Sequence, residues 1–149
     1  MREGNFELNG KPMSALRMAG LSFPAFSGTG RFINGRTSAC HVGFGPIPPG
    51  AYYIFDRQSG GWERLIPDVF DKRSRWFALY AIDGKIDDET YCDRVKRGLF
   101  RLHYGTVSAG CITVKDFMDY EHLRMMLKET EPVAVPGSDL EAYGRLVVR

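Results

Sequence analysis

The residues best equipped for chemistry in this chain are His103 and Cys111, within LHYGTVSAGCITV from Leu102 to Val114. A free thiol of ordinary acidity is only about 3% thiolate at pH 7. An adjacent imidazolium that lowered its pKa by ~2 units, worth roughly 2.7 kcal/mol, would turn it into a nucleophile. Eight positions separate the two residues. That is about 26 Å along one strand or about 12 Å along one helix, too far for contact in either. The chain must therefore fold back between them, and Gly105 and Gly110 permit this because glycine accepts positive φ. The expected arrangement ends one strand at His103 and starts its neighbour at Cys111, about 4.8 Å away. Ala109 and Gly110 carry little side chain, so successive N–H groups there can converge as an oxyanion site. Ser108 would serve the loop or the substrate, and a backbone carbonyl near Tyr104 would orient the imidazole. Against this stands the commoner fate of a lone strand cysteine, a small buried hydrophobe.

The surrounding pattern predicts the elements that must position these groups. FELNGKPM reads as a hairpin about Asn9-Gly10, and GPIPPGAYYIFDR as a proline-rich turn feeding a strand. Ser59–Trp62 (SGGW) reads as a turn, Asp71–Arg75 (DKRSR) as a short charged loop, and Arg75–Lys85 as a strand closing on Asp83-Gly84. GLFRLHY alternates Leu99, Arg101 and His103 against Phe100, Leu102 and Tyr104. After Lys115, the spacing of Phe117, Tyr120, Leu123 and Leu127 predicts a helix, with Thr113 as its cap and Asp116 reaching back. YGRLVVR closes the chain as a strand. The fold class is mostly β, a β-rich α+β domain with one main helix after Cys111.

The 149 residues suit a single domain, 1–149. A net charge of +2, with no basic run, offers nothing to nucleic acid. No apolar stretch approaches the roughly 20 residues of a membrane span. The N-terminus lacks the layout of a cleavable signal, so the chain is expected to be made in the cytoplasm without one.

Several segments carry a family resemblance. SAGCI resembles the Ser-His-Gly-Cys signature of YkuD-type L,D-transpeptidases at Ser108, Gly110, Cys111 and Ile112. Pro46, Pro48, Gly50 and Tyr52 follow the Pro-x-Pro-x-Gly-x-Phe/Tyr segment of those enzymes. SFPAFSGTG, WFALY, IDDET and RGLFRLHYG bring the chain closer to the DUF2778 group, which includes type VI secretion L,D-transpeptidase effectors. Ala109 and Thr113 depart from the pattern, the first replacing histidine and the second an Arg or Asn. The resemblance implies a YkuD-like catalytic domain without metal or organic cofactor. Cys111 would attack the third residue of a peptidoglycan stem tetrapeptide and expel D-alanine, with His103 as base. It also implies an antibacterial toxin secreted into the periplasm of target bacteria, meeting stem peptides, secretion components and an immunity protein.

Arg101 shares the alternation face of His103 and is a candidate for a substrate carboxylate, with Thr113 a second substrate-binding candidate. Cys40 and Cys92 either pair in an oxidising compartment, leaving Cys111 free, or remain two thiols. Asp87, Asp88 and Glu89 read as a solvated turn, and His41 and His122 as surface histidines. The competing functions are a cysteine peptidase or amidase on another peptide, and a non-catalytic wall-binding module.

Overall fold

The strands of this chain close on one another. The computed structural model describes residues 1–56 and 75–149. The turn expected at Ser59–Trp62 and the charged loop from Asp71 lie outside the described residues, except for Arg75. In chain order the strands are β1 (Arg2–Phe6), β2 (Ser14–Met18), β3 (Leu21–Phe26), β4 (Gly50–Asp56), β5 (Phe77–Ala81), β6 (Glu89–Cys92), β7 (Val95–Gly98), β8 (Arg101–Tyr104), β9 (Ile112–Val114), β10 (Val133–Ala134), β11 (Glu141–Ala142) and β12 (Gly144–Val148). Helix α1 (Phe117–Glu129) follows β9, and short 3-10 turns occupy Gly30–Phe32 and Arg36–Ser38.

Eight of the strands form a closed barrel in the order β1-β12-β4-β5-β8-β9-β3-β2. Closure leaves the barrel sheet itself, as described, without a free edge. Two ladders are parallel, β1 with β12 and β8 with β9, and the other barrel pairs are antiparallel. The predominantly β architecture with one helix agrees with the sequence pattern.

Alternation decides which side chains fill the barrel. Leu16 and Met18 from β2, Leu146 and Val148 from β12, and Leu102, Ile112 and Val114 from β8 and β9 all point inward and are buried. Helix α1 adds Tyr120, Leu123, Met126 and Leu127 to the same core. At the β1–β2 connection the Asn9 side chain accepts from Lys11 N at 3.0 Å and donates to Met13 O at 3.0 Å. The β2–β3 turn places Ala19 and Gly20 both at positive φ, the primed-turn geometry that matches strand twist.

Two local expectations change. Asp116, not Thr113, caps α1: its carboxylate accepts from Asp119 N at 2.9 Å. Thr113 belongs to β9, and its hydroxyl donates instead to Val107 O at 3.2 Å. The alternation over GLFRLHY also breaks, because Leu99 sits at φ +58 and is exposed, so β8 begins only at Arg101.

Hairpin β6–β7 stands outside the barrel sheet. Cys92 at its tip forms a disulfide with Cys40, 52 positions earlier, which fastens the hairpin to the loop after the second 3-10 turn. Removing the bridge frees a long loop in the unfolded chain. Serine at both positions should therefore lower unfolding free energy by roughly 2–4 kcal/mol, read as a fall in the denaturant midpoint. An unchanged midpoint would contradict a bridge that constrains the chain.

Candidate active site

The β8–β9 pair builds the site. Its register sets Leu102 beside Ile112, His103 beside Thr113 and Tyr104 beside Val114. Parallel neighbours usually need a long crossover, yet here the chain returns after Gly105–Cys111. It can do so because it retraces only two residues of strand, about 7 Å. Since Leu102 and Ile112 face the core, Arg101, His103, Cys111 and Thr113 all belong to the opposite, outward face.

Cys111, one residue before β9, is therefore diagonal to His103. Thr113, not Cys111, is the direct neighbour of His103, which differs from the end-to-start arrangement expected from the spacing. The ring is 7% exposed. Its Nδ1 lies 3.0 Å from Tyr104 O, and since a carbonyl only accepts, Nδ1 carries the proton. Nε2 is thereby the lone-pair nitrogen, 3.5 Å from Thr113 Oγ1. Trp76 stacks on the imidazole, with ring centroids 4.4 Å apart. The Cys111 thiol, half-buried, faces Leu99 O at 4.0 Å. No hydrogen bond among the described residues joins it to His103.

Electrostatics make this a neutral pair at rest. Burial pushes the His103 pKa below its usual value, against an opposing pull from the Tyr104 carbonyl. Burial pushes the Cys111 thiol up, more than the backbone N–H and the charge of Arg101 and the backbone N–H of Ala109 draw it down. The imidazolium–thiolate pair expected from the sequence is not the resting state. A neutral His103 remains competent as a general base that takes the thiol proton during attack.

The loop between the strands is tightly held. Ser108 is buried; its hydroxyl donates to Cys111 O at 2.6 Å and accepts from Gly28 N at 3.2 Å, while its carbonyl accepts from Thr29 Oγ1. Ser108 thus tethers the loop to the segment after β3. Ala109 is exposed, and Gly110 sits at φ +91 with no room for a side chain. The turn that carries the sulfur is held on two sides, at the Cys111 carbonyl by Ser108 and at Gly110 by Arg97 and Phe100.

Arg101 is committed elsewhere: its guanidinium holds the Asp88 carboxylate through both oxygens, at 2.8 and 2.6 Å. Asp88 is thus part of a bidentate ion pair beside the sulfur rather than a solvated turn residue. Thr113 is fully buried, so it supports His103 from the neighbouring strand and does not present a surface to a ligand. Beside Ala109 opens a cleft of about 490 Å³ whose walls include Val42, Asp88, Glu89, Lys96 and Leu99 and whose lining reaches Arg97. The Cys40–Cys92 bridge joins its two walls. Trp76 and Arg97 carried no signal in the sequence. Trp76 merely precedes a strand, and Arg97 is one cation in an alternating hairpin.

A β-barrel that sets a thiol and a proton-accepting imidazole at neighbouring strand ends, near a cleft with charged residues on a mostly apolar lining, defines a candidate cysteine-dependent catalytic domain. The chain matches the family model of the Tlde1 domain over residues 22–138, most of its length, and belongs to that family of type VI secretion L,D-transpeptidase effectors. No curated protein and no solved structure matches it.

The neutral resting pair has pH signatures. Iodoacetamide labelling of Cys111 should be slow at pH 7 and still be rising above pH 9, since burial keeps the thiol protonated. A plateau below pH 7 would contradict the geometry. His103 binds its proton more weakly folded than unfolded, so the unfolded chain takes up more protons as pH falls through about 6.5. Its contribution is complete above that pH and is lost below it. His103→Gln should flatten the acid side of a denaturant-midpoint profile measured from pH 7.5 to 5.

Proposed function

We propose that this chain is a peptidoglycan-modifying cysteine enzyme, an L,D-carboxypeptidase or L,D-transpeptidase acting on stem tetrapeptides. What supports the reading is that the parallel β8–β9 pairing sets Cys111, one residue before β9, diagonal to His103 on β8, with Leu99 and Ala109 nearby lining a cleft, in a chain of the Tlde1 family. The substrate's third-residue carbonyl would sit against the Gly110 and Cys111 amides. Nε2 of His103 takes the Cys111 proton as sulfur bonds to that carbonyl carbon, and the oxygen becomes an anion facing the amides. The C–N bond to D-alanine then breaks, the imidazolium gives its proton to the departing amine, and a thioester remains on Cys111. Water, a free D-amino acid or the amine of a second stem peptide then loses a proton to His103 and displaces the sulfur. For this, the ring must turn so that Nε2, which lies 3.5 Å from Thr113 Oγ1, faces the diagonal sulfur.

In the cell this chemistry makes the protein an antibacterial toxin, delivered by type VI secretion and acting in the periplasm of target bacteria. Its partners there are stem peptides and an immunity protein, and before that the secretion components that carry it. The Cys40–Cys92 bridge supports an oxidising place of action.

Purified tetrapeptide muropeptides incubated with the wild-type protein should release free D-alanine, leaving, where water is the acceptor, a tripeptide lighter by one alanine residue. Cys111→Ala should fall to background, and His103→Ala should lower the rate by about 10²–10⁴-fold. No conversion by the wild type would sink the reading, and release of a different fragment would identify a peptidase or amidase instead.

A further inference from the structure

Arg97 is a buried cation without a carboxylate partner among the described residues. It is 5% exposed, although hairpin β6–β7 lies outside the barrel sheet. Its Nη1 donates to Pro46 O at 3.2 Å and to Ala39 O, and its Nη2 donates to Gly45 O at 3.1 Å. The guanidinium carbon stands 5.4 Å from the centre of the Phe100 ring. Burying an ionised group without a counter-ion is costly, and carbonyl dipoles and an aromatic face offset that cost only where the geometry is held.

The same guanidinium abuts the nucleophile turn. A Cβ built on Gly110 would lie 2.6 Å from Arg97 Nη2 and 3.3 Å from Phe100 Cε1. Gly110, at φ +91, therefore packs closely against Arg97 Nη2 and the edge of the Phe100 ring, one residue before Cys111. A single side chain thus touches three parts of the site: the Ala39–Pro46 loop, the ring of Phe100 just before β8, and the turn that carries the candidate oxyanion amides.

We propose that Arg97 is a positioning residue that sets the Gly110–Cys111 peptide by bracing Gly110 against the disulfide-fastened wall of the cleft. It acts through Gly110 and touches no reacting atom. Its effect is on the transition state, because the amides it aims are used fully only when the carbonyl oxygen becomes an anion. Lysine cannot replace it, since one ammonium cannot span three carbonyls and a ring face at once.

The test has one arm that is independent of the proposed reaction. Amide hydrogen exchange is compared between wild type and Arg97→Ala with the disulfide intact. Exchange should quicken about tenfold or more at Gly110 and Cys111, with amides of β12 and α1 unchanged. Equal protection at Gly110 and Cys111 would overturn the inference. So would a uniform loss of protection in both Arg97→Ala and Arg97→Lys, which marks a merely structural role. The second arm rests on the proposed function. With tetrapeptide muropeptides, Arg97→Ala should lose at least tenfold in kcat with KM within threefold, and guanidinium chloride at millimolar concentration should restore part of it. A loss of kcat that guanidinium does not restore would overturn the inference. Should the wild type release no D-alanine, the proposed function fails while the exchange arm still decides the role of Arg97.

Discussion

The parallel pairing of β8 with β9 is the constraint on which the site depends. It puts residues of equal parity on one face, so Leu102, Ile112 and Val114 enter the core while Arg101, His103, Cys111 and Thr113 turn outward. A slip of one residue would send the cysteine into the barrel and Ile112 into solvent, at the cost of burying polar groups and exposing an apolar one. Core packing therefore enforces the position of the sulfur. The helix that follows contributes to this, because Tyr120, Leu123 and Leu127 lie against the inner side of the same strands.

The chemistry of the site follows from how deeply this face is covered. Trp76 closes over His103 and Thr113 packs beside it on the adjoining strand, so the ring loses water and favours its neutral form. The sulfur, half-buried beside Arg101 and Asp88, also favours its neutral form. The ion pair of Arg101 and Asp88 brings a cation near the sulfur but spends most of its field internally. A neutral thiol beside a neutral base defers ionisation to the moment of attack. The backbone N–H groups of Arg101 and Ala109 that face the sulfur would stabilise negative charge as it forms there.

Beyond the barrel, hairpin β6–β7 supplies much of the cleft. It hangs on the Cys40–Cys92 bridge at its tip and on Arg97 at its base, and both join it to the loop around Ala39–Pro46. The turn after Cys92 sets Asp93 and Arg94 at positive φ, which aligns the two short strands so that Arg97 points inward. A covalent tie and a buried cation thus cooperate at one wall, each limiting the freedom that the other would otherwise have to restrain.

The local pattern carried much of this protein. Alternation and turn residues are enough to mark a β-rich chain with one helix, because strand faces and helix stripes are written in residues close together. The cysteine, the histidine eight positions before it and the glycines that return the chain between them were legible for the same reason. Tertiary structure decided what depends on pairs distant in sequence. It chose a parallel partner for β8, made Asp116 the helix cap by keeping Thr113 in a strand, joined Cys40 to Cys92, set Asp88 on Arg101, and brought Trp76 onto His103 and Arg97 beneath Gly110. Residue types and short spacings determine which groups can react. Only closure of the barrel determines their solvation and their neighbours, and those set their charge.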